Sequence, residues 1–289
     1  MGALVELKNV YFRYQGSRDY ALKRLNFVMN RGEYVLLTGP SGCGKSTLCR
    51  LLNGLIPHFY SGELKGDVLV AGYDVKQTPT HVLAKHVGLV FQNPENQLFL
   101  SSVERELAFG LENLGVPEHE IREKVEWALR FFGLTHLREK PPYLLSGGQQ
   151  QKVAIASVVV MEPDLLVLDE PTANLDPVSA EEILGLLDRL RSEQNISILL
   201  VEHRLEIALA YADRLVIMLD GSIVKDGAPR EVILSREAGY IGIPPVVETY
   251  KLLTSTGVAL TRVPLTPLEL AEELETVVLR ERRRYSDQH

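Results

Sequence analysis

Short apolar runs alternate along this chain with stretches whose apolar positions recur every three or four residues. Tyr34–Thr38, Val87–Phe91, Leu165–Asp169, Ile198–Val201 and Leu215–Leu219 are compact apolar runs of the kind that parallel strands bury on both faces. In Glu118–Phe132, Ile121, Val125, Ala128, Leu129 and Phe132 recur at helical spacing with charges between them, which predicts an amphipathic surface helix; Ser179–Arg191 has the same pattern. This alternation predicts an α/β fold with a largely parallel sheet, to which Val5–Tyr14 and Gly66–Val70 add antiparallel strands. Two regions break the rhythm. Residues 93 to 145 hold no buried-strand run, lie between Asn93-Pro94 and Pro141-Pro142, and predict an inserted helical subdomain. Beyond about residue 230 come Pro244-Pro245, Pro264 and Pro267, then a helical pattern from Leu268 to Leu279. The expected division is therefore a main domain, 1–230, and a small C-terminal domain, 231–289.

Composition narrows the function classes. The 289 residues are 45% hydrophobic and 24% charged, which excludes disordered and fibrous chains. Thirty-one basic against 38 acidic residues give a net charge of −7, so no nucleic-acid partner is expected. No apolar stretch approaches the roughly 20 residues that span a bilayer. Work at a membrane would then need a partner. The first ten residues, MGALVELKNV, carry acid and lysine in place of a signal-peptide apolar region, and the expected location is cytoplasmic. Cys43 and Cys49 lie in one segment that runs from loop into helix, where no structural disulfide is expected.

The chemistry begins directly after the apolar run Tyr34–Thr38. Gly39-Pro40-Ser41-Gly42-Cys43-Gly44-Lys45-Ser46-Thr47, followed by Leu48, Leu51 and Leu52, fits G-x-x-x-x-G-K-[ST] between a strand and a helix. Its glycines let backbone N–H groups turn toward one anion, and the helix N-terminus adds partial positive charge. Lys45 suits the β- and γ-phosphates of a nucleotide, and the Ser46 hydroxyl suits Mg²⁺. Downstream, Leu165–Asp169 is a strand that ends in two carboxylates: Asp169 can hold Mg²⁺ through water, and Glu170 can orient or deprotonate an attacking water.

A second glycine segment, Leu145-Ser146-Gly147-Gly148-Gln149, opens the helical stretch Gln150–Ala156. Ser146 can cap that helix, with the amides of Gly147 and Gly148 facing outward, which makes a second anion site. One nucleotide does not need two cradles in one chain. With these motifs in this order over roughly Val5 to Gly227, the sequence resembles an ATP-binding cassette (ABC) ATPase. The resemblance implies a P-loop NTPase core in which Ser146, Gly147, Gly148 and Gln149 close over ATP held by a second ABC ATPase, identical or paralogous. It further implies that Tyr14, with Tyr11 as competitor, stacks on adenine, and that Gln92 contacts Mg²⁺ and water and relays movement to a membrane partner. Asn174-Leu175-Asp176 matches the loop that crosses the dimer interface, and His203 the histidine that contacts the γ-phosphate. Lys152 stands where many relatives have arginine, and the Asn174 loop lacks the commoner Ser-Ala lead-in.

Within that family, Phe91-Gln92-Asn93-Pro94-Glu95-Asn96-Gln97-Leu98-Phe99, the following stretch to Gly115 and the tail from Gly227 to Pro267 are similar to ATPases of energy-coupling-factor importers, including the cobalt and nickel systems. The resemblance implies a transmembrane coupling protein and a substrate-capturing membrane protein as partners, a vitamin or transition-metal ion as cargo, and a tail that helps hold two ATPases together. Glu95, Glu104, Glu106 and Glu112 follow Gln92, and an acidic groove there is expected to seat basic helices of the coupling protein. The rivals are the ATPase of another ABC transporter class and a soluble ABC protein acting on ribosomes or DNA, whose only support is the basic stretch Arg280-Glu281-Arg282-Arg283-Arg284.

Overall fold

β1 (Val5–Tyr14) and β2 (Leu22–Met29) open the chain as an antiparallel pair, and β3 (Tyr34–Thr38) follows with all five residues buried. The computed structural model describes residues 2–286, with side chains through residue 280. Helix α1 (Lys45–Leu52) and the single turn α2 (Leu55–His58) lead to β4 (Gly62–Val70), β5 (Tyr73–Asp74), the turn α3 (Thr80–Leu83) and β6 (Val87–Val90). Next come α4 (Val103–Asn113), α5 (Glu118–Phe131) and α6 (Gly147–Val159). β7 (Leu165–Asp169), α7 (Pro177–Gln194), β8 (Ser197–Val201), α8 (Leu205–Ala208), β9 (Arg214–Leu219) and β10 (Ser222–Gly227) continue the core, followed by α9 (Pro229–Val232), α10 (Pro245–Ser255) and α11 (Pro267–Ser286).

The strands form two sheets. The larger runs β10-β9-β3-β8-β7-β6, parallel from β9 to β6, with β10 antiparallel at the edge. The smaller, β2-β1-β4-β5, is antiparallel. Alternate residues of the parallel strands feed two separate cores. Leu36, Leu166, Leu168 and Leu200 pack with α4 to α7, whereas Leu37, Leu165, Val167 and Val201 pack with α1 and the smaller sheet. Covered on both faces, these strands need apolar side chains at every position, which is why they appear as unbroken apolar runs. The architecture is the α/β P-loop NTPase fold with an antiparallel N-terminal subdomain and a helical insert.

β2 escapes the sequence pattern for a local reason. Asn9 and Arg24 both sit at φ 48°, and the β1–β2 register slips between Leu7 and Val10 and between Val10 and Phe12. Bulges of this kind spoil strict alternation, so the buried positions are Leu22, Leu25, Phe27 and Met29. Between residues 93 and 145 the described elements are α4, α5 and short 3-10 turns. Val232, Ile233, Ala238, Val246, Val247 and Leu265, from beyond residue 230, join the core under α4 to α7. Among the described residues no helix is long and apolar enough to cross a membrane. Residues 281 to 284 of the basic stretch lie outside the described side chains.

The expected acidic groove is corrected at Glu106. This residue is buried on α4, and its carboxylate accepts the amides of Phe99 (2.5 Å) and Leu100. Burial pushes its carboxyl up, and the two amides oppose that shift. Glu104 lies 3.7 Å from Arg138, which leaves Glu95 and Glu112 as the exposed acids of the four. The side chain of Glu106 serves the loop from Phe99 instead of facing a partner.

Candidate functional site

The loops that leave the C-terminal ends of neighbouring parallel strands converge on one edge of the larger sheet, where open α/β sheets bind ligands. After β3 the chain turns through Gly39, Pro40, Ser41, Gly42, Cys43 and Gly44 into α1. A Cβ at Gly39 would lie 2.1 Å from the Met218 carbonyl oxygen, and one at Gly44 2.6 Å from that of Ala21, with φ of 151° and 108°. Only glycine fits either place. Ser41 and Gly42 are exposed at the mouth, while Cys43, Lys45 and Thr47 are buried and Ser46 is half-buried. Lys45 Nζ donates to the carbonyls of Gly39 (2.7 Å) and Pro40 (3.1 Å), so the loop wraps around its own cation. Burial pushes the Cys43 thiol up.

Across the strand order β8-β7-β6, three residues far apart in sequence meet. Gln92 follows β6, Glu170 follows β7 and His203 follows β8. Gln92 Nε2 donates to Glu170 Oε2 at 3.0 Å, and His203 Nε2 lies 3.0 Å from Glu170 Oε1. Both carboxylate oxygens are thereby held, on a backbone at φ 53° that non-glycine residues rarely adopt and that functional sites often retain. Glu202, which sequence reasoning missed, is buried and accepts from the Thr172 hydroxyl and from the amides of His203 (2.7 Å) and Arg204 (3.1 Å). It ties the loop after Glu170 to the loop that carries His203. The available signal was an acid directly after the apolar run Ile198–Val201.

Asp169 ends β7. Burial pushes its carboxyl up, against the Ser46 hydroxyl and the cations of Arg50 and Lys45, which favour the charged form. Its Oδ1 is buried with no hydrogen-bond partner. An orphaned carboxylate oxygen near a hydroxyl is a fitting pair of donors for Mg²⁺, a hard cation that commonly keeps waters and takes phosphate oxygens as its remaining ligands.

Of the two aromatic candidates, the structure brings Tyr14 to the phosphate loop. Its hydroxyl lies 3.1 Å from Thr47 Oγ1 and accepts from Arg50 Nη1 at 3.2 Å, whereas Tyr11 pairs edge-on with Tyr20, ring centres 5.7 Å apart. Arg50 carries no sequence signal beyond its place on α1.

The second glycine segment caps α6 as its residue types imply. Gln149 N donates to Ser146 Oγ at 3.4 Å, and Ser146 N donates to Gln149 Oε1 at 3.1 Å. Ser146 and Gly147 are exposed, while Gly148 is half-buried near Ser179, whose Oγ would lie 3.1 Å from an added Cβ. Asn174 donates to Asn93 Oδ1 at 3.0 Å, and Asp176 caps α7 through the Ser179 amide at 3.0 Å. Gly147, Gln92, Asn93, Pro171 and Asn174 line one cleft of about 400 Å³, so Gln92 and the exposed glycine segment belong to the same face.

Comparison with known proteins bears on the family and the fold. Residues 22–173 match the model of the ABC transporter family. An ABC transporter ATP-binding protein of Pyrococcus horikoshii is 48% identical over 229 residues, 79% of this chain and 81% of its own length. Another, of Methanosarcina mazei, is 45% identical over 256 residues, 87% of this chain and 43% of its own length, so the chain spans less than half of that relative. Among solved structures, cbiO1 of Clostridium perfringens, part of the ABC transporter complex cbiONQ, superposes with a TM-score of 0.75 at 34% identity, over 89% of this chain and 97% of its own. A dimeric ATP-binding cassette in a post-hydrolysis state, bound to ADP and Pi, gives 0.68 at 29% identity, over 78% of this chain and 99% of its own.

Proposed function

The chain belongs to the ABC transporter family and is an ATP-hydrolysing, ATP-binding subunit, and we propose that it energises an importer of the energy-coupling-factor type, carrying a vitamin or a transition-metal ion. The observation that carries the catalytic part is the meeting of Gln92, Glu170 and His203 beside the loop that holds Lys45. For the importer class, support comes from the run Phe91–Phe99 and from the likeness to cbiO1 along most of both chains.

Backbone amides of the Gly39–Thr47 loop and the N-terminus of α1 receive the phosphates. Lys45 leaves the carbonyls of Gly39 and Pro40 to meet the β- and γ-phosphates. Tyr14 stacks on adenine. Ser46, Gln92 and Asp169 would hold Mg²⁺, which when bound offsets charge on the phosphate oxygens. Glu170, steadied through one oxygen by Gln92 and through the other by His203, accepts a proton from the attacking water, and His203 also meets the γ-phosphate. The exposed Ser146, Gly147, Gly148 and Gln149 complete the corresponding site of a second cassette, so ATP joins two ATPases and its hydrolysis releases them. We assign residues 1–230 to the nucleotide-binding domain, and 231–289 to an accessory domain that helps hold the pair together. The assembly sits on the cytoplasmic face of the membrane through a coupling protein and a substrate-capturing protein.

Glu170→Gln removes the proton acceptor and keeps the side-chain shape. ATP turnover is expected to fall about 100-fold or more while ATP still binds. Wild-type turnover in the purified variant would show that Glu170 has another role. The importer class is tested by gentle solubilisation of membranes: two membrane proteins should co-purify, one of which binds a vitamin or a metal ion. Recovery with an exporter's spans instead would refute it.

A further inference from the structure

Helix α1 begins with the phosphate-binding residues and continues with Arg50, one turn beyond Ser46. The half-buried guanidinium lies over the ring of Tyr60, its Cζ 4.9 Å from the ring centre, and donates through Nη1 to the hydroxyl of Tyr14 at 3.2 Å. Among the described residues no carboxylate forms an ion pair with it. Withdrawing an unpaired cation from water costs free energy, and here that cation is directed at two aromatic side chains.

The Tyr14 ring is constrained from several sides. Phe12, two residues earlier on the same face of β1, meets it edge-on at 4.8 Å and 79°, and Tyr60 meets it at 6.3 Å and 88°. These contacts set the plane of the ring. Its hydroxyl lies between Thr47 Oγ1 at 3.1 Å and Arg50, which sets how far the side chain reaches over the phosphate loop. A ring already held in place loses less side-chain freedom when a flat ligand stacks on it.

We infer that Arg50 is a positioning residue which, with Tyr60 beneath it, locks Tyr14 in the pose that receives the adenine base. The inference rests on the assignment of Tyr14 to the base, made above. It predicts a contribution specific to the base half of the nucleotide. A rival role is purely electrostatic, since Arg50 also favours the charged form of Asp169. That role would act on the phosphate half.

The two are separated by measuring, on the full chain with Mg²⁺ present, the affinities of ATP and of inorganic tripolyphosphate. Arg50→Met and Tyr14→Phe are each expected to weaken ATP about fivefold, to leave tripolyphosphate within about twofold, and to give a double variant no weaker than Tyr14→Phe alone. Tyr14→Phe keeps both the ring and the charge of Arg50. The inference is overturned if Arg50→Met weakens both ligands alike, or if the two effects add in full. It also falls if Tyr14→Ala weakens ATP relative to tripolyphosphate while Arg50→Met and Tyr14→Phe do not; in that case the base assignment stands. If Tyr14→Ala leaves the ratio of the two affinities unchanged, the base assignment itself falls.

Discussion

At Lys45 the phosphate loop shows what a single residue can and cannot reveal through spacing. The position follows from three glycines and the apolar run before them, because a loop that must turn its amides inward between strand and helix has few other sequences. Its state does not follow. The ammonium is buried against the carbonyls of Gly39 and Pro40, bonds that the proposed phosphate contact would replace. Because these partners belong to its own loop, Lys45→Ala should leave the fold intact and weaken ATP binding by about tenfold to 100-fold, the worth of a charged hydrogen bond, as measured by calorimetry. Unchanged affinity would show that the amides alone hold the phosphates. Arg50 and Glu202, by contrast, have no spacing that marks them. Their partners, Tyr14 for one and Thr172 for the other, lie 36 and 30 positions away in the chain.

Elements add a second kind of information, the face a side chain occupies, and at Glu106 that face is the buried one. A glutamate on a helix beside other acids suggests a solvated or docking face, yet α4 turns this one inward beneath the loop that contains Phe99 and Leu100. Glu106→Ala would leave both amides without an acceptor and should cost about 2 to 4 kcal/mol of stability, read as a lowered Tm. Glu106→Gln, which keeps an acceptor oxygen, should cost less than half of that. Equal losses would mean that the negative charge, and not the acceptor oxygen or the packing of the side chain, carries the contribution. At Gly88 on β6 an added Cβ would come within 2.2 Å of Val158 on α6, so this strand is glycine-bearing because the helix lies directly on it. The apolar run of β6 discloses the strand but not the helix above it.

For the whole molecule, the C-terminal helix illustrates how distant segments are joined. Arg230, just after β10, makes a two-pronged ion pair with Glu269 on α11 at 2.7 and 2.9 Å, and Glu269 also accepts the Leu265 amide at 2.7 Å. Arg230 holds the Glu269 carboxyl below its ordinary value of 4.5, against the opposing effect of burial. A carboxyl lowered in the fold stabilises it above its unfolded value and loses that effect as pH falls through the folded one. Amide exchange along α11 should therefore accelerate as pH drops below 4.5, after correction for the intrinsic rate, and Arg230→Ala should produce the same loosening at neutral pH. No difference between the variant and the wild type would assign the anchoring of α11 to Leu265 and its apolar neighbours. By itself the sequence determined the two-sided burial of the parallel strands, the helical insert, the phosphate loop and the order of the motifs, because each is written in contiguous residues whose spacing obeys local backbone geometry. Tertiary structure alone decided that Gln92, Glu170 and His203 share one set of hydrogen bonds, that Tyr14 and not Tyr11 faces the loop, and that Glu106 points inward. Those outcomes depend on which strands and loops become neighbours, and that choice is made by burial across the whole chain.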